Sequence, residues 1–229
     1  MRVCEIMEIV PGIHQVDGVN GNCYIIVRDG LTLIDTGLPK NSKKILSYIR
    51  DTLHRTPGEI RTIILTHCHI DHIGNAYALK NASGAKIAIH ESDAGFVSGK
   101  TAMPAPKGMA GLLIKTLGIF MKARNFQPDI LLKDQDILAG LTCIHTPGHT
   151  PGSICLLDPE TKVVFIGDTL RFDGQKITAP PELFTLDMNQ TYDSIRKIAV
   201  LEFTVLLSGH GIPLIHNASE KVREYSKTL

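Results

Sequence analysis

The chain has 229 residues, of which 43% are hydrophobic and 21% charged, with a formal net charge of +1. This suits an ordinary globular protein of one large domain, and the near-zero charge and absent Trp argue against nucleic acid or an anionic membrane as partner. Five cysteines without a CxxC pair, an N-terminus unlike a signal peptide, and no apolar run near the roughly 18 residues that span a bilayer predict a protein of the reducing cytoplasm.

The first third alternates short strand-like runs with turns. Residues 5–10, 13–16, 23–27 and 31–34 are separated by Pro11-Gly12, the stretch from Gly18 to Gly21, and Asp29-Gly30, the pattern of an antiparallel meander. A helix is predicted over 42–53, with Ile45, Leu46, Ile49 and Leu53 near helical spacing and Asn41 or Ser42 as its cap. A strand over 61–65, a polar loop, a helix near 74–81, a strand over 86–89 and a short helix near 91–98 follow. The second half restarts the theme, with strands at 130–132, 141–145, 154–157 and 163–166, then a helix near 189–200, a strand at 204–207 and a terminal helix near 217–227. Strands followed by helices, twice over, suggest two layers of sheet with helices outside, although no sequence repeat accompanies the duplication.

Residues 99–126 interrupt this order. Met103-Pro104-Ala105-Pro106 reads as a turn, and the stretch from Gly108 to Arg124 is rich in Leu, Ile, Met and Phe, with Lys115, Lys122 and Arg124 interspersed. Four readings stand for it: a core-packed helix, a lid or pocket wall over a site, a homodimer contact, or a membrane-surface helix.

The chemistry concentrates in Thr66-His67-Cys68-His69-Ile70-Asp71-His72, directly after the apolar run Ile63-Ile64-Leu65. Three imidazoles and a carboxylate within six residues offer the donors that zinc and similar divalent ions prefer, whereas plain turns favour Gly, Pro, Asn, Asp and Ser. Further donors sit in matching contexts: His149 in Thr146-Pro-Gly-His-Thr-Pro-Gly152, Asp168 in Gly167-Asp-Thr169, and His210 in Ser208-Gly-His-Gly211. Each follows an apolar strand and neighbours a glycine, as expected where strand ends gather ligands at one edge of a core. His14, His54, His90, His145 and His216 lack that context and read as ordinary polar residues. Cys68 should be a buried thiol, since in an extended segment its side chain points away from those of His67 and His69.

This donor set, His67-x-His69-x-Asp71-His72 with His149, Asp168 and His210, resembles that of the metallo-β-lactamase superfamily, and Asp35 in Ile34-Asp-Thr-Gly37 resembles its outer-shell first motif. The resemblance implies an α/β (α+β) fold, a four-layer αββα sandwich over residues 1–229 with an insertion or lid at about 99–126, and a cleft at the sheet edge. It further implies two divalent metal ions, with zinc expected and iron or manganese compatible. His67, His69 and His149 would hold the first, Asp71, His72 and His210 the second, and Asp168 would bridge them. Asp71 would also orient the nucleophile or carry a proton.

Departures from the pattern narrow the branch. The β-lactamases proper carry Cys where this chain has Asp168, and the flavodiiron branch has Glu in place of His69. Glyoxalase II enzymes share Gly-Asp-Thr but add a C-terminal glutathione-binding region, whereas only 19 residues follow His210 here. Related lactonases place Tyr three residues after the bridging Asp; this chain has Arg171, either a carboxylate or phosphate anchor or a solvent-facing residue. The expected activity is hydrolysis of an ester, thioester or lactone on a small-molecule substrate. A phosphodiesterase on the same metals and a mononuclear iron persulfide dioxygenase are the alternatives.

Overall fold

The computed structural model describes residues 8–102 and 123–229. Among these, seven strands pair in sequence order to form one sheet: β1 (Glu8–Val10), β2 (Ile13–Val16), β3 (Cys23–Val27), β4 (Leu31–Ile34), β5 (Ile60–Ile64), β6 (Lys86–His90) and β7 (Ile130–Leu132). Short turns join β1 to β4, so those strands run antiparallel. Helical connections precede β5 and β6, which lie parallel to their predecessors, as β7 does to β6. The second sheet contains β8 (Ile137–Leu138), β9 (Leu141–His145), β10 (Ile154–Asp158), β11 (Val163–Gly167) and β14 (Val205–Ser208), in the order β14-β11-β10-β9-β8. A small hairpin of β12 (Arg171–Phe172) and β13 (Ile177–Thr178) lies between β11 and β14 in the chain.

Alternation along the strands explains the layers. In the first sheet Ile25, Leu33, Ile63 and Ile87 face a core shared with helical residues Ile45, Ile49, Ala76 and Leu79. Their sequence neighbours Ile26, Ile34, Ile64 and Ala88 face the opposite way, against Cys143, Leu156, Val163, Phe165 and Leu207 of the second sheet. Val164, Ile166 and Leu206 in turn point outward to Ile195, Ile198 and Val222. Both faces of both sheets are therefore buried, which requires apolar residues at consecutive positions and produces the αββα sandwich.

The helices are α1 (Ser42–Ser47), α2 (Ile70–Ile73), α3 (Ala76–Ser83), α4 (Glu91–Val97), α5 (Met188–Ala199) and α6 (Ala218–Ser226). Two differ from the sequence reading. The helix predicted over 42–53 is α-helical only to Ser47 and widens into a π-turn over Tyr48–Thr52. The helix predicted near 74–81 begins at Ala76 as α3, and the polar loop before it contains the short α2, the two separated by Gly74-Asn75. There the Asn75 side chain accepts from the Asn41 and Ser42 N–H groups and donates to the Thr36 and Leu38 carbonyls, knitting the helix start to the preceding loop. A Cβ on Gly74 would lie 2.4 Å from Pro39 N, so the approach requires glycine. Strands β8, β12 and β13 have two residues each, too short for a periodic pattern. The predicted lid lies largely outside the described residues. No helix among the described residues is long and apolar enough to cross a membrane.

Candidate metal centre

Strands β5, β9, β11 and β14 deliver their following loops to one edge of the sandwich. The Ile154 N–H bonds the Thr66 carbonyl at 2.9 Å, tying the first sheet's loop to the second sheet. The Gly209 N–H bonds the Gly167 carbonyl at 2.6 Å, setting the His210 turn against the Asp168 turn. Among the described residues three groups of donor atoms that could hold an ion result, each with its atoms within 4.8 Å of one another: His67, His69 and His149; His67, His72 and Asp168; Asp71, His72 and His210. All seven donors singled out in the sequence thus come together, and none of His14, His54, His90, His145 or His216 joins them. His90 and His145 instead stack on each other with ring centroids 3.9 Å apart, and His14 pairs with Tyr48.

Hydrogen bonds on the far side of the rings decide which nitrogen faces the centre. Asp35 Oδ1 accepts the Thr66 N–H at 2.8 Å, and Oδ2 accepts both the Thr66 hydroxyl at 2.7 Å and the His72 Nδ1–H at 2.8 Å. Because the Thr66 hydroxyl spends its proton on Asp35, its oxygen accepts from His67 Nδ1–H at 3.1 Å. Thr185 does the same for His149: its hydroxyl donates to the Pro181 carbonyl at 2.9 Å and accepts from His149 Nδ1–H at 3.1 Å. In each neutral ring these bonds put the proton on Nδ1 and leave Nε2 as the free nitrogen facing inward, the tautomer a metal requires. Asp35 itself adopts φ +58, a left-handed conformation rare for a residue with a side chain and a frequent mark of functional loops.

The inward atoms are short of partners. His67 Nε2, His72 Nε2 and Asp168 Oδ1 are buried with no hydrogen-bond partner among the described residues. Each such atom costs about 1–3 kcal/mol when left unsatisfied, and a shared cation removes that cost. Asp168 Oδ1 lies 3.5 Å from His72 Nε2, while its Oδ2 lies 3.6 Å from His149 Nε2 and 3.4 Å from His210 Nε2. Asp71 Oδ2 is 3.0 Å from His210 Nε2, and His69 Nδ1 is 3.0 Å from His149 Nε2. The donor chemistry and the orphaned atoms fit divalent ions.

The titration behaviour divides the cluster in two. Burial, then the neighbouring His72 charge, holds His67 well below the usual imidazole value, and burial with His69 pushes His149 down to about 3. His72 is also penalised by burial, yet Asp35, Asp168 and Asp71 together lift it to about 10. The carboxylate side of the cluster therefore favours positive charge, which a proton on His72 supplies in place of a cation.

Arg171, read from sequence as an anchor or a solvent-facing residue, is partly buried with Nη2 3.7 Å from Asp168 Oδ2. It borders the centre. Cys68 is fully buried in the helix-side core, as expected for a thiol facing away from the histidines. Two contributors escaped the sequence reading, Thr66 and Thr185, and Thr185 carried no spacing signal.

The metallo-beta-lactamase superfamily model matches residues 16–210, and the chain belongs to that superfamily. It is 30% identical to the probable metallo-hydrolase YflN of Bacillus subtilis, over 90% of this chain and 86% of that protein. It is 28% identical to the hydroxyacylglutathione hydrolase GloC of Haemophilus influenzae, over 90% of each. The acyl-coenzyme A thioesterase MBLAC2 of Bos taurus is 30% identical over 63% of this chain and 56% of its own length. Among solved structures, the metallo-beta-lactamase family protein TTHA1429 of Thermus thermophilus superposes with a TM-score of 0.72 at 20% identity, covering 96% of this chain and 79% of that one. A structure of TTHA1623 in a di-iron-bound form gives 0.67 at 25% identity, covering 88% and 92%. The chain is thus a metallo-β-lactamase superfamily hydrolase.

Proposed function

We propose that this hydrolase cleaves a carbonyl ester, thioester or lactone with two divalent cations held by the strand-end cluster. The observation that carries the reading is the inward set of orphaned atoms, His67 Nε2, His72 Nε2 and Asp168 Oδ1, amid four further donors. His67, His69 and His149 would hold one ion and Asp71, His72 and His210 the other. Asp168 stands between the two histidine groups and would touch both ions. When bound, such cations polarise the substrate oxygen and acidify a water nucleophile. The remaining work falls to the protein. Asp71, partly exposed and paired with His210, orients the attacking water or carries a proton toward the leaving group. Asp35, Thr66 and Thr185 hold the imidazoles in their working tautomers.

A carbonyl substrate is favoured by the surface beside His149. Thr185, bonded to that ring, is flanked by Leu183, Phe184 and Leu186, all large apolar side chains exposed at 42–46%. They suit the hydrocarbon part of an acyl group, consistent with the thioesterase named among the relatives. Arg171 favours a second reading, a phosphodiesterase, because its guanidinium beside Asp168 matches an anionic substrate oxygen. Zinc is the expected ion, although a relative at 25% identity was solved with iron.

Metal analysis combined with a panel of lactone, thioester and phosphodiester substrates tests the proposal. The expected result is carbonyl-ester turnover, with Asp168→Ala lowering metal content below two ions per chain and abolishing hydrolysis. Full metal occupancy and unchanged turnover in that variant would refute the centre. Phosphodiester turnover without carbonyl-ester turnover would select the second reading.

A further inference from the structure

Asp93, in the first turn of α4, has a fully buried carboxylate outside the donor set. Its Oδ2 accepts the Cys68 N–H at 2.9 Å and the Thr150 hydroxyl at 2.7 Å, and its Oδ1 accepts the Gly152 N–H at 2.7 Å. Cys68 lies between His67 and His69, and Thr150 adjoins His149. One side chain thus bridges the two loops that supply the first trio of histidines. We propose that Asp93 is a positioning residue that sets the separation of these loops and thereby the affinity of the His67, His69 and His149 site for its cation. This rests on the metal-centre reading above.

Two features favour this role over generic packing. All four groups that meet the carboxylate, the Cys68 thiol and N–H, the Thr150 hydroxyl and the Gly152 N–H, are donors, and an ionised Asp is an acceptor-only side chain able to serve them together. The approach is also close: a Cβ on Gly152 would lie 2.6 Å from Asp93 Cγ and 2.7 Å from its Cβ. The loop is therefore brought against the carboxylate at a position where only glycine fits. Across this tie, His69 Nδ1 and His149 Nε2 stand 3.0 Å apart, and a small displacement of either loop alters the donor spacing directly.

Asp93→Asn separates this role from packing because it keeps the shape. Its one carbonyl oxygen can replace Oδ2, leaving the amide against the Gly152 N–H, or replace Oδ1, leaving the amide against the Cys68 N–H. In either orientation one N–H of the tie meets the amide NH2 in place of an acceptor, and the loop that carries it is loosened. The test is zinc titration of the full chain against a chelator for wild type, Asp93→Asn and Thr150→Val, with thermal unfolding of the zinc-free forms alongside. The expected result is one of two bound ions weakened by roughly 10–100-fold in both variants, with the other within about twofold of wild type. Should Asp93→Asn fail to fold, Thr150→Val alone decides, since it removes a single hydroxyl from the same tie. Equal weakening of both ions in step with a lower unfolding temperature would reduce Asp93 to a structural residue and overturn the proposal, as would two unchanged affinities. A wild-type chain that binds no zinc would instead refute the metal-centre reading itself.

Discussion

Asp35→Asn is the most discriminating perturbation of the centre, because it keeps the side chain's shape while changing its charge and proton placement. Asparagine tolerates the left-handed conformation at φ +58, so the backbone has no reason to move. The amide must then face one of two sets of donors. Turned toward His72 and the Thr66 hydroxyl, it forces both to accept. His72 must then carry its proton on Nε2, and the Thr66 hydroxyl turns to donate to His67 Nδ1, which moves that ring's proton inward as well. Turned the other way, it sets an NH2 against the buried Thr66 N–H, normally satisfied by Asp35 Oδ1 at 2.8 Å, at a cost of about 1–3 kcal/mol. The metal-free variant also loses the buried carboxylate that most lifts His72, so it should lose about 3–5 kcal/mol of a typical 5–15 kcal/mol. Metal affinity should fall about 10–100-fold, the usual effect of losing an outer hydrogen bond to a ligand. Chelator competition gives the affinity and urea unfolding of the stripped protein gives the stability. Affinity within twofold of wild type, in a variant shown to be folded, would refute the claim that Asp35 sets the tautomers.

Three further outcomes follow from the same geometry. Gly209→Ala would place a Cβ 2.3 Å from Asp168 Oδ1 and 2.6 Å from His72 Cε1, and should lower both metal retention and turnover by about tenfold or more, measured by metal analysis and kinetics. The metal-free protein should be most stable near pH 6.5. His72, raised to about 10, contributes stability fully present below 6.5 and lost as pH rises through 10, while His149, lowered to about 3, contributes stability present above 6.5 and lost as pH falls toward 3. Thermal unfolding of chelated protein across that range checks this, and stability still climbing above about pH 8 would contradict the His72 assignment. Phe184→Ser should lower kcat/KM for a long-chain acyl ester by about tenfold while sparing a short-chain one and leaving metal content unchanged. Equal losses on both esters, read from their steady-state kinetics, would argue against an acyl contact.

The parts legible in the sequence share a physical reason. Strands such as Val163–Gly167 are buried on both faces, so they appear as continuous apolar runs that need no partner to be recognised. The donors that follow them carry their chemistry in their residue type, and a histidine after such a run stands out wherever the chain later brings it. The break between α2 and α3 was hidden because Asn75 acts on the loop around Thr36 and Leu38, some 37 residues away. Thr66 adjoins His67 in sequence, yet its hydroxyl orients that ring only because Asp35, 31 residues earlier, takes its proton. Asp93 reaches Thr150 and Gly152 across 57 and 59 residues. These outer residues are ordinary threonines and carboxylates whose roles exist only once the loops close. Donor identity is therefore a local property of this chain, while donor protonation and spacing are tertiary ones. Substitutions at Asp35, Thr66, Thr185 and Asp93 should accordingly alter metal binding while every ligand stays in place.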